Sequence, residues 1–260
     1  MKRTSRISFT SRPSLLGVVV LLALTSASVA AADDGPGPLG VTAGTVPTKE
    51  SARIGALFGA DRADKLAGGH FCTASVVHSA HGNLIVTAAH CVDGDDGGDL
   101  VFVPGYRNGE APYGLWKVKR RFLADGWSKE QDEDSDVAFA VVEGLGGEKG
   151  KRLEDVVGAN RFATGVATGA TAVTVTGYPN SGEVPITCTN KPRAHSSTQQ
   201  RISCPDFTGG TSGSPWVNGD QQVVGVLGGH EEGGATADVS YSVVLGAEAA
   251  RLYREAAADP

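Results

Sequence analysis

The chain has 260 residues, which is enough for one large domain or two modest ones. Its 36 glycines argue against helical bundles and coiled coils, because each interior glycine destabilises a helix by up to about 1 kcal/mol. The net charge of −6 offers no basic surface for a nucleic acid. With only 20% charged residues and abundant Val, Thr and Gly, the composition favours a turn-rich β protein.

The first 30 residues have the pattern of a secretory signal peptide. Four basic residues precede an apolar run from Leu15 to Leu24, and the small residues Ser28-Val29-Ala30 follow. The alternative is an uncleaved membrane anchor, but ten apolar residues are too few to span a bilayer, which needs about 20. Cleavage near Ala30 leaves 19 basic and 29 acidic residues, so we expect an acidic, secreted extracellular protein.

The rest of the chain is predicted to be almost entirely β. Residues 31–53 are rich in Gly, Pro and Thr and are interpreted as a flexible pro-segment or N-terminal arm. Short apolar runs broken by turn signals then predict nine strands: Ile54–Phe58, Phe71–Val77, Leu84–Ala89, Leu100–Val103, Leu115–Phe122, Val137–Val142, Ala172–Gly177, Val223–Leu227 and Val239–Val244. Because no βαβ alternation appears, a barrel or sandwich is favoured over an α/β fold.

Local signals divide this β region further. His81-Gly82-Asn83 is typical of a hairpin turn. The glycine-rich run Gly144–Gly150 marks a boundary between two halves, 54–146 and 147–260. The segment Ala247–Ala258 predicts a terminal amphipathic helix.

An acidic loop and four cysteines are the candidates for bound metal. The loop Asp93–Asp99 carries carboxylates at calcium-like spacing, but the twelfth position of an EF-hand would fall on Pro104, so a solvated hairpin tip is favoured. The cysteines lack the C-x₂₋₄-C spacing of zinc sites, and in an exported chain they suggest two disulfides. Of the three possible pairings, proximity along the chain favours Cys72–Cys91 and Cys188–Cys204. The sequence thus predicts no metal and no cofactor.

Three segments together contain the residue types that a serine nucleophile needs for catalysis. His90 ends the apolar run Thr87-Ala88-Ala89, Asp136 directly precedes Val137-Ala138, and Ser212 lies in Gly209-Gly210-Thr211-Ser212-Gly213-Ser214-Pro215. A serine hydroxyl needs a nearby base to act as a nucleophile, and histidine suits that task. A buried carboxylate can fix the imidazole tautomer, and backbone N–H groups in a glycine-rich loop can bind an oxyanion.

These segments resemble the chymotrypsin-like, or trypsin-fold, serine proteases. Thr-Ala-Ala-His-Cys is similar to the family's histidine motif, Asp-Val-Ala to its aspartate motif and Gly-Thr-Ser-Gly-Ser-Pro to its nucleophile loop. The order His, Asp, Ser differs from the orders in subtilisins and α/β-hydrolases. The resemblance covers about residues 54–256. It implies an all-β fold of two packed six-stranded antiparallel β-barrels, a short C-terminal helix and a catalytic cleft between the barrels.

The resemblance also assigns roles to residues. It implies that His90 is the general base, Asp136 its orienting carboxylate and Ser212 the nucleophile, with Gly210 and Ser212 supplying oxyanion-hole N–H groups. Asp134 is the neighbouring alternative for the orienting carboxylate, and Ser214 is the neighbouring alternative for the nucleophile. The pair Cys72–Cys91 matches the family bridge beside the histidine, whereas Cys188–Cys204 has no clear family counterpart.

The nucleophile loop departs from the vertebrate members of the family. They have an aspartate before the nucleophile, which pairs with a new N-terminal ammonium during activation, and this chain has Thr211 there. Bacterial secreted members, including the glutamyl-endopeptidase branch, share the Gly-x-Ser-Gly-Ser-Pro form. Glutamyl endopeptidases have a histidine where this chain has Leu227, so a preference for acidic substrates is not supported.

The substrate pocket is predicted from the same resemblance. Asp206 lies six residues before Ser212, where trypsins hold the aspartate that selects Lys or Arg, but an exposed loop aspartate is the alternative. Gly228 and Gly229 are expected to pair with the substrate backbone as an added strand, and His230 to line the pocket mouth.

The resemblance leaves three functions to be compared. The first is a secreted serine endopeptidase acting on proteins or peptides. The second is a catalytically silent relative that binds a partner through the barrel surface, and the third is an esterase on the same fold. We expect a monomer that has no nucleic-acid partner and no membrane contact after signal removal.

Overall fold

A computed structural model describes residues 39–94, 98–234 and 236–260, except for the side chain of Glu232. The predicted signal peptide, residues 1–30, lies outside the described residues, as do residues 31–38 of the predicted arm. Within the described part, no helix is both long and apolar enough to cross a membrane.

The described chain is mostly β. Its strands are β1 Thr42–Gly44, β2 Ile54–Gly59, β3 His70–Val77, β4 Leu84–Thr87, β5 Leu100–Pro104, β6 Trp116–Leu123, β7 Ala138–Gly144, β8 Arg161–Phe162, β9 Val173–Gly177, β10 Ile186–Asn190, β11 Arg193–Ala194, β12 Gln199–Ser203, β13 Pro215–Asn218, β14 Gln222–Val226 and β15 Val239–Val243. Its helices are α1 Lys49–Ala52, α2 Asp125–Glu130, α3 Leu153–Val157 and α4 Ala247–Ala257. All nine predicted strands are present, and the predicted all-β class is confirmed.

The first half of the chain forms a closed antiparallel barrel. Its strands follow the order β2-β3-β4-β7-β6-β5, and β2 closes the barrel by pairing with β5. Closure leaves no free edge strand in this half. Buried side chains such as Leu57, Val76, Ile85 and Phe139 form its core. The predicted turn between β3 and β4 is confirmed, with Gly82 at a φ of +64°.

The second half has two sheets in place of a single closed barrel. One has six strands in the order β1-β10-β9-β13-β14-β8, and the other has three in the order β11-β12-β15. Between β14 and β15 the pairing is reduced to the isolated bridge of Leu227 with Ser242. The chain turns away after this bridge, because Gly228 and Gly229 lead into a 3₁₀ turn at His230.

Part of the predicted flexible arm is ordered. Strand β1 pairs antiparallel with β10, where Thr42 lies opposite Cys188. Helix α1 follows, with a capping box formed by Thr48 and Ser51. Composition alone does not reveal this strand, because Thr-Ala-Gly has no apolar alternation and its partner is distant in sequence.

The C-terminal helix packs on the first half of the chain. Its buried residues Ala249, Leu252 and Ala256 join the barrel core, and the Tyr253 ring lies 5.6 Å from that of Phe139. The predicted helix at 247–258 is therefore present, but it packs across the boundary placed near residue 146.

Both favoured cysteine pairings are present in the structure. Cys72 is bonded to Cys91, which ties strand β3 to the turn that follows β4. Cys188 is bonded to Cys204, which ties strand β10 to the segment after β12. Each bridge therefore lies in one half of the molecule.

Candidate active site

His90 lies where strand β4 ends in a 3₁₀ turn over Ala89–Cys91. Its backbone amide donates to Asp136 Oδ1 over 3.0 Å, and its ring Nδ1 lies 2.8 Å from Asp136 Oδ2. About 30% of the His90 side chain is exposed, whereas the Asp136 side chain is fully buried. The turn thus leaves the imidazole partly exposed to solvent while its Nδ1 is anchored to a buried carboxylate.

Asp136 lies two residues before Ala138, where strand β7 begins, and receives three hydrogen bonds. The third comes from the backbone amide of Gly229, whose nitrogen lies 2.6 Å from Oδ2. Because a carboxylate only accepts hydrogen bonds, the proton of the pair belongs on Nδ1 of His90. The Nε2 lone pair of His90 is then left free to accept a proton.

Asp134, the neighbouring alternative, is placed differently. Its side chain is exposed, and its Oδ1 accepts a hydrogen bond from Nε2 of Gln199 over 2.9 Å. The structure therefore brings Asp136, and not Asp134, to His90.

The Ser212 loop is held against the first barrel by Thr73 of strand β3. The Thr73 amide donates to the Ser212 carbonyl over 2.7 Å, and the Thr73 hydroxyl donates to the Gly210 carbonyl over 3.1 Å. Thr73 follows Cys72, which is bonded to Cys91 beside His90. The serine loop and the histidine turn are thus fastened to the same strand.

Gly213 shows how close this packing is. Its φ is +84°, and a Cβ atom there would lie 2.0 Å from the Thr73 carbonyl oxygen and 2.2 Å from the Thr87 hydroxyl. No side chain fits at this position without displacing the strands that lead to His90. The glycine after Ser212 is therefore required by close approach as well as by backbone conformation.

The two serines of the loop differ in accessibility. Ser212 is half-buried, whereas Ser214 is fully buried and its hydroxyl packs against Gly177. A substrate can reach only the first. Among the side-chain hydrogen bonds of the described residues, none joins the Ser212 hydroxyl to His90, and such contacts often tighten only when substrate binds.

Two backbone amides of the loop are free to act as donors. Within the described residues, neither the Gly210 nor the Ser212 amide has a hydrogen-bond acceptor, whereas the Thr211 amide donates to Thr208. Gly210 has a φ of +94°, and a Cβ there would lie 2.5 Å from the Tyr178 carbonyl. Only glycine allows the loop to hold this conformation.

Thr211 precedes Ser212, at the position where the resemblance implies an aspartate in vertebrate members of that family. It is buried, and its hydroxyl donates to the Thr208 carbonyl over 2.7 Å. The Thr211 hydroxyl has its hydrogen-bond partner within its own loop, so this residue needs no ammonium group as a partner.

The predicted pocket residues fall into different environments. Asp206 is exposed with a φ of +68°, which favours the interpretation as a solvated loop aspartate. Leu227 is buried in the core of the second half with Trp216 and Val175. Its side chain therefore serves packing in that core.

The glycine pair lies beside Asp136, and His230 follows it in the chain. The Gly228 amide donates to the Tyr241 carbonyl over 2.9 Å, and the Gly229 amide is committed to Asp136. Among the described residues, the Gly228 carbonyl is the one polar backbone group of this pair without a hydrogen-bond partner. The ring of His230 lies 2.8 Å from a carboxylate oxygen of Glu133.

The Gly229 contact is the part of the site that the sequence did not reveal. Gly-Gly suggested a substrate strand, but one of the two amides supports the carboxylate instead. Nothing in the residue type signals this, since any residue except proline has a backbone N–H.

The acidic loop is described in part. Asp93 accepts a hydrogen bond from the Trp127 indole over 2.6 Å, and Lys117 hydrogen-bonds Asp99, which lowers the pKa of that carboxyl. Residues 95–97 lie outside the described residues, so the solvated hairpin tip stays a prediction, with calcium binding as its alternative.

A second possible metal group is excluded by its chemistry. Cys72, His90 and Cys91 lie within ligand distance of one another. Both sulfurs are in the disulfide, however, so neither is the thiolate that a metal binds.

An imidazole anchored to a buried carboxylate, and a serine on a glycine-rich loop that is tied to the same strand, are the residue types that serine hydrolases use. Residues 72–226, more than half of the chain, match the family model described as Trypsin-like peptidase domain. The chain therefore belongs to the trypsin-like peptidases, which act on protein substrates, and is a serine endopeptidase.

Solved structures agree with this assignment. Protease Anisep from Arthrobacter nicotinovorans is 29% identical, with a TM-score of 0.70, over 84% of this chain and 100% of that one. The thermostable serine protease AL20 from an extremophilic microorganism is 29% identical, with a TM-score of 0.68, over 82% and 100%. A Glu endopeptidase is 18% identical, with a TM-score of 0.67, over 86% and 99%, and it shares the fold. No curated protein matches the sequence.

Proposed function

We propose that this peptidase is exported and cleaves peptide bonds through Ser212, His90 and Asp136, by way of an acyl-enzyme. The observation that carries the proposal is the buried Asp136, which holds the His90 ring while Thr73 fastens the Ser212 loop to the adjoining strand. Two disulfides support export, because such bonds persist in oxidising compartments.

The proposed reaction starts with proton transfer. His90 Nε2 takes the proton of the Ser212 hydroxyl as Oγ attacks the scissile carbonyl carbon. Asp136 keeps the ring in the required tautomer and stabilises the imidazolium that forms. The unshared amides of Gly210 and Ser212 receive the negative charge that develops on the carbonyl oxygen.

Collapse of this intermediate breaks the C–N bond. The imidazolium gives its proton to the leaving amine, and the acyl group stays on Ser212. A water molecule then repeats the sequence, with His90 as its base, and releases the new carboxylate.

Covalent labelling tests this proposal. The secreted protein, treated with an organophosphate, should gain one adduct on the peptide that contains Ser212, and Ser212→Ala should abolish both the adduct and peptide hydrolysis. Ser214→Ala, a matched control in the same loop, should still be labelled. A wild-type protein that is folded but takes no label would overturn the proposal in favour of the silent relative.

The esterase alternative is separated in the same assay. Peptide hydrolysis and ester hydrolysis are compared on the labelled and unlabelled protein. Ester turnover without cleavage of any peptide in a mixed library would contradict the endopeptidase proposal.

A further inference from the structure

A cluster of histidine and tyrosine rings lies beside the proposed active site and has no role in it. The ring centroids of His195 and His230 are 5.4 Å apart, and each packs edge-on against Tyr241, at 4.8 and 5.0 Å. Ligand atoms of His195, His230 and Glu231 all lie within 4.8 Å of one another. Three groups that can bind a metal ion thus converge at one place.

The orientation of His230 is set by Glu133. One carboxylate oxygen of Glu133 lies 2.8 Å from Nδ1 of His230, which leaves Nε2 as the ligand atom. Histidines that bind metals almost always donate their other ring N–H to a carboxylate or carbonyl, which fixes the ring and raises its basicity. His230 therefore already has the second partner that a metal ligand requires.

The other two members are also held in place. The His195 amide donates to the Gln199 carbonyl over 2.9 Å, which closes the turn between β11 and β12. Glu231 has a φ of +51°, a conformation that non-glycine residues adopt at a cost. The Glu231 carboxylate nevertheless offers a ligand atom within 4.8 Å of one on each histidine.

We propose that His195, His230 and Glu231 form a site for a divalent transition-metal ion of the zinc class. Two imidazoles and one carboxylate are a common zinc ligand set, and they leave a fourth position for water. Imidazole ligands disfavour calcium and magnesium, which prefer oxygen alone. Small side-chain rotations would bring the ligand atoms to the distance of about 2 Å that zinc requires.

This proposal departs from the sequence prediction of no metal site. His195 and His230 are distant in sequence, and only the pairing of β12 with β15 and the turn after Gly229 bring them together. The proposed metal site takes no part in the proposed catalytic chemistry. It lies next to the proposed active site, because Gly229, which donates to Asp136, directly precedes His230.

Calorimetric titration with zinc chloride tests the site. The protein carries Ser212→Ala to prevent self-cleavage and has no histidine tag. We expect one zinc ion per chain, with affinity reduced at least about 100-fold by His195→Ala or His230→Gln. Glu133→Gln should weaken binding about tenfold, as expected for loss of a second partner.

His78→Ala is the matched control. His78 is likewise paired with a carboxylate, Glu154, at 2.7 Å, but it belongs to no such cluster among the described residues. Its replacement should leave zinc affinity unchanged. Equal affinity in the Ser212→Ala protein with and without His195→Ala or His230→Gln, each shown to be folded by circular dichroism, would overturn the proposal, as would the absence of zinc binding. Because the titration needs no peptide cleavage, it can fail or succeed independently of the proposed protease activity.

Discussion

Two histidine–carboxylate pairs in this molecule have nearly the same length and very different surroundings. His90 lies 2.8 Å from Asp136, and His78 lies 2.7 Å from Glu154. Asp136 is fully buried, whereas the side chains of His78 and Glu154 are 61% and 22% exposed. The distance therefore does not distinguish a candidate catalytic pair from a surface ion pair. Burial distinguishes them, and so do the backbone donors: Asp136 accepts two amides, at 3.0 and 2.6 Å, whereas Glu154 accepts one, from Ser79 at 3.4 Å.

The largest effect is expected when the buried carboxylate is replaced. Asp136→Asn preserves shape but allows the amide to donate to His90, which stabilises the wrong tautomer, so kcat/KM should fall about 10⁴-fold. The measurement is peptide hydrolysis across the neutral pH range. Glu154→Gln is the control and should change activity less than about twofold, because exposed pairs contribute little. Equal losses of kcat/KM in the two variants would show that the buried pair and the exposed pair do not differ in function.

A smaller effect is expected from the covalent tie beside His90. Replacing Cys72 and Cys91 together with Ser should lower the free energy of unfolding by about 3 kcal/mol, in the chain-entropy model for a loop of this length. Denaturant unfolding measures the loss. The double variant at Cys188 and Cys204 should lose a similar free energy. Only the first should also impair activity below its unfolding midpoint, since it alone joins the His90 turn to the strand that holds Ser212.

The smallest effect concerns the backbone donor to Asp136. Gly229→Pro removes the N–H at a φ of −89°, close to the value that proline adopts, and should reduce kcat/KM about 30-fold, or about 2 kcal/mol. Gly229→Ala keeps the N–H, and its Cβ would make ordinary contacts at 3.4 Å. Steady-state kinetics of the two variants isolates the hydrogen bond. If both lose activity alike, the amide has no special role.

The fold was predictable where hydrophobic patterning is local. All nine apolar runs are strands, because alternation or continuous Val, Ile and Ala residues mark buried strands directly. Strands β10 and β12 escaped prediction since Ile186-Thr-Cys-Thr-Asn and Gln199-Gln-Arg-Ile-Ser are mostly polar. In β10 the threonines hydrogen-bond across to β9, as Thr189 does to Thr174 over 2.8 Å. A partner strand, which sequence alone does not supply, makes these residues suitable for a strand.

The candidate site was predictable to the extent that it lies in short motifs. His90, Asp136 and Ser212 each belong to a recognisable segment, and the choices of Asp136 over Asp134 and Ser212 over Ser214 are supported by burial and contacts. The contact of the Gly229 amide with Asp136 and the ring cluster at His195 and His230 could not be predicted from the sequence. They depend on tertiary contacts between residues that are far apart along the chain.

Thr73 has a consequence for the whole molecule. Besides holding the Ser212 and Gly210 carbonyls, its hydroxyl accepts the amide of Tyr178 in the second half, while the residue itself belongs to the barrel. One small side chain of the barrel thus forms hydrogen bonds with two segments of the second half. We therefore expect a displacement of one half against the other to move the backbone of Ser212 as well.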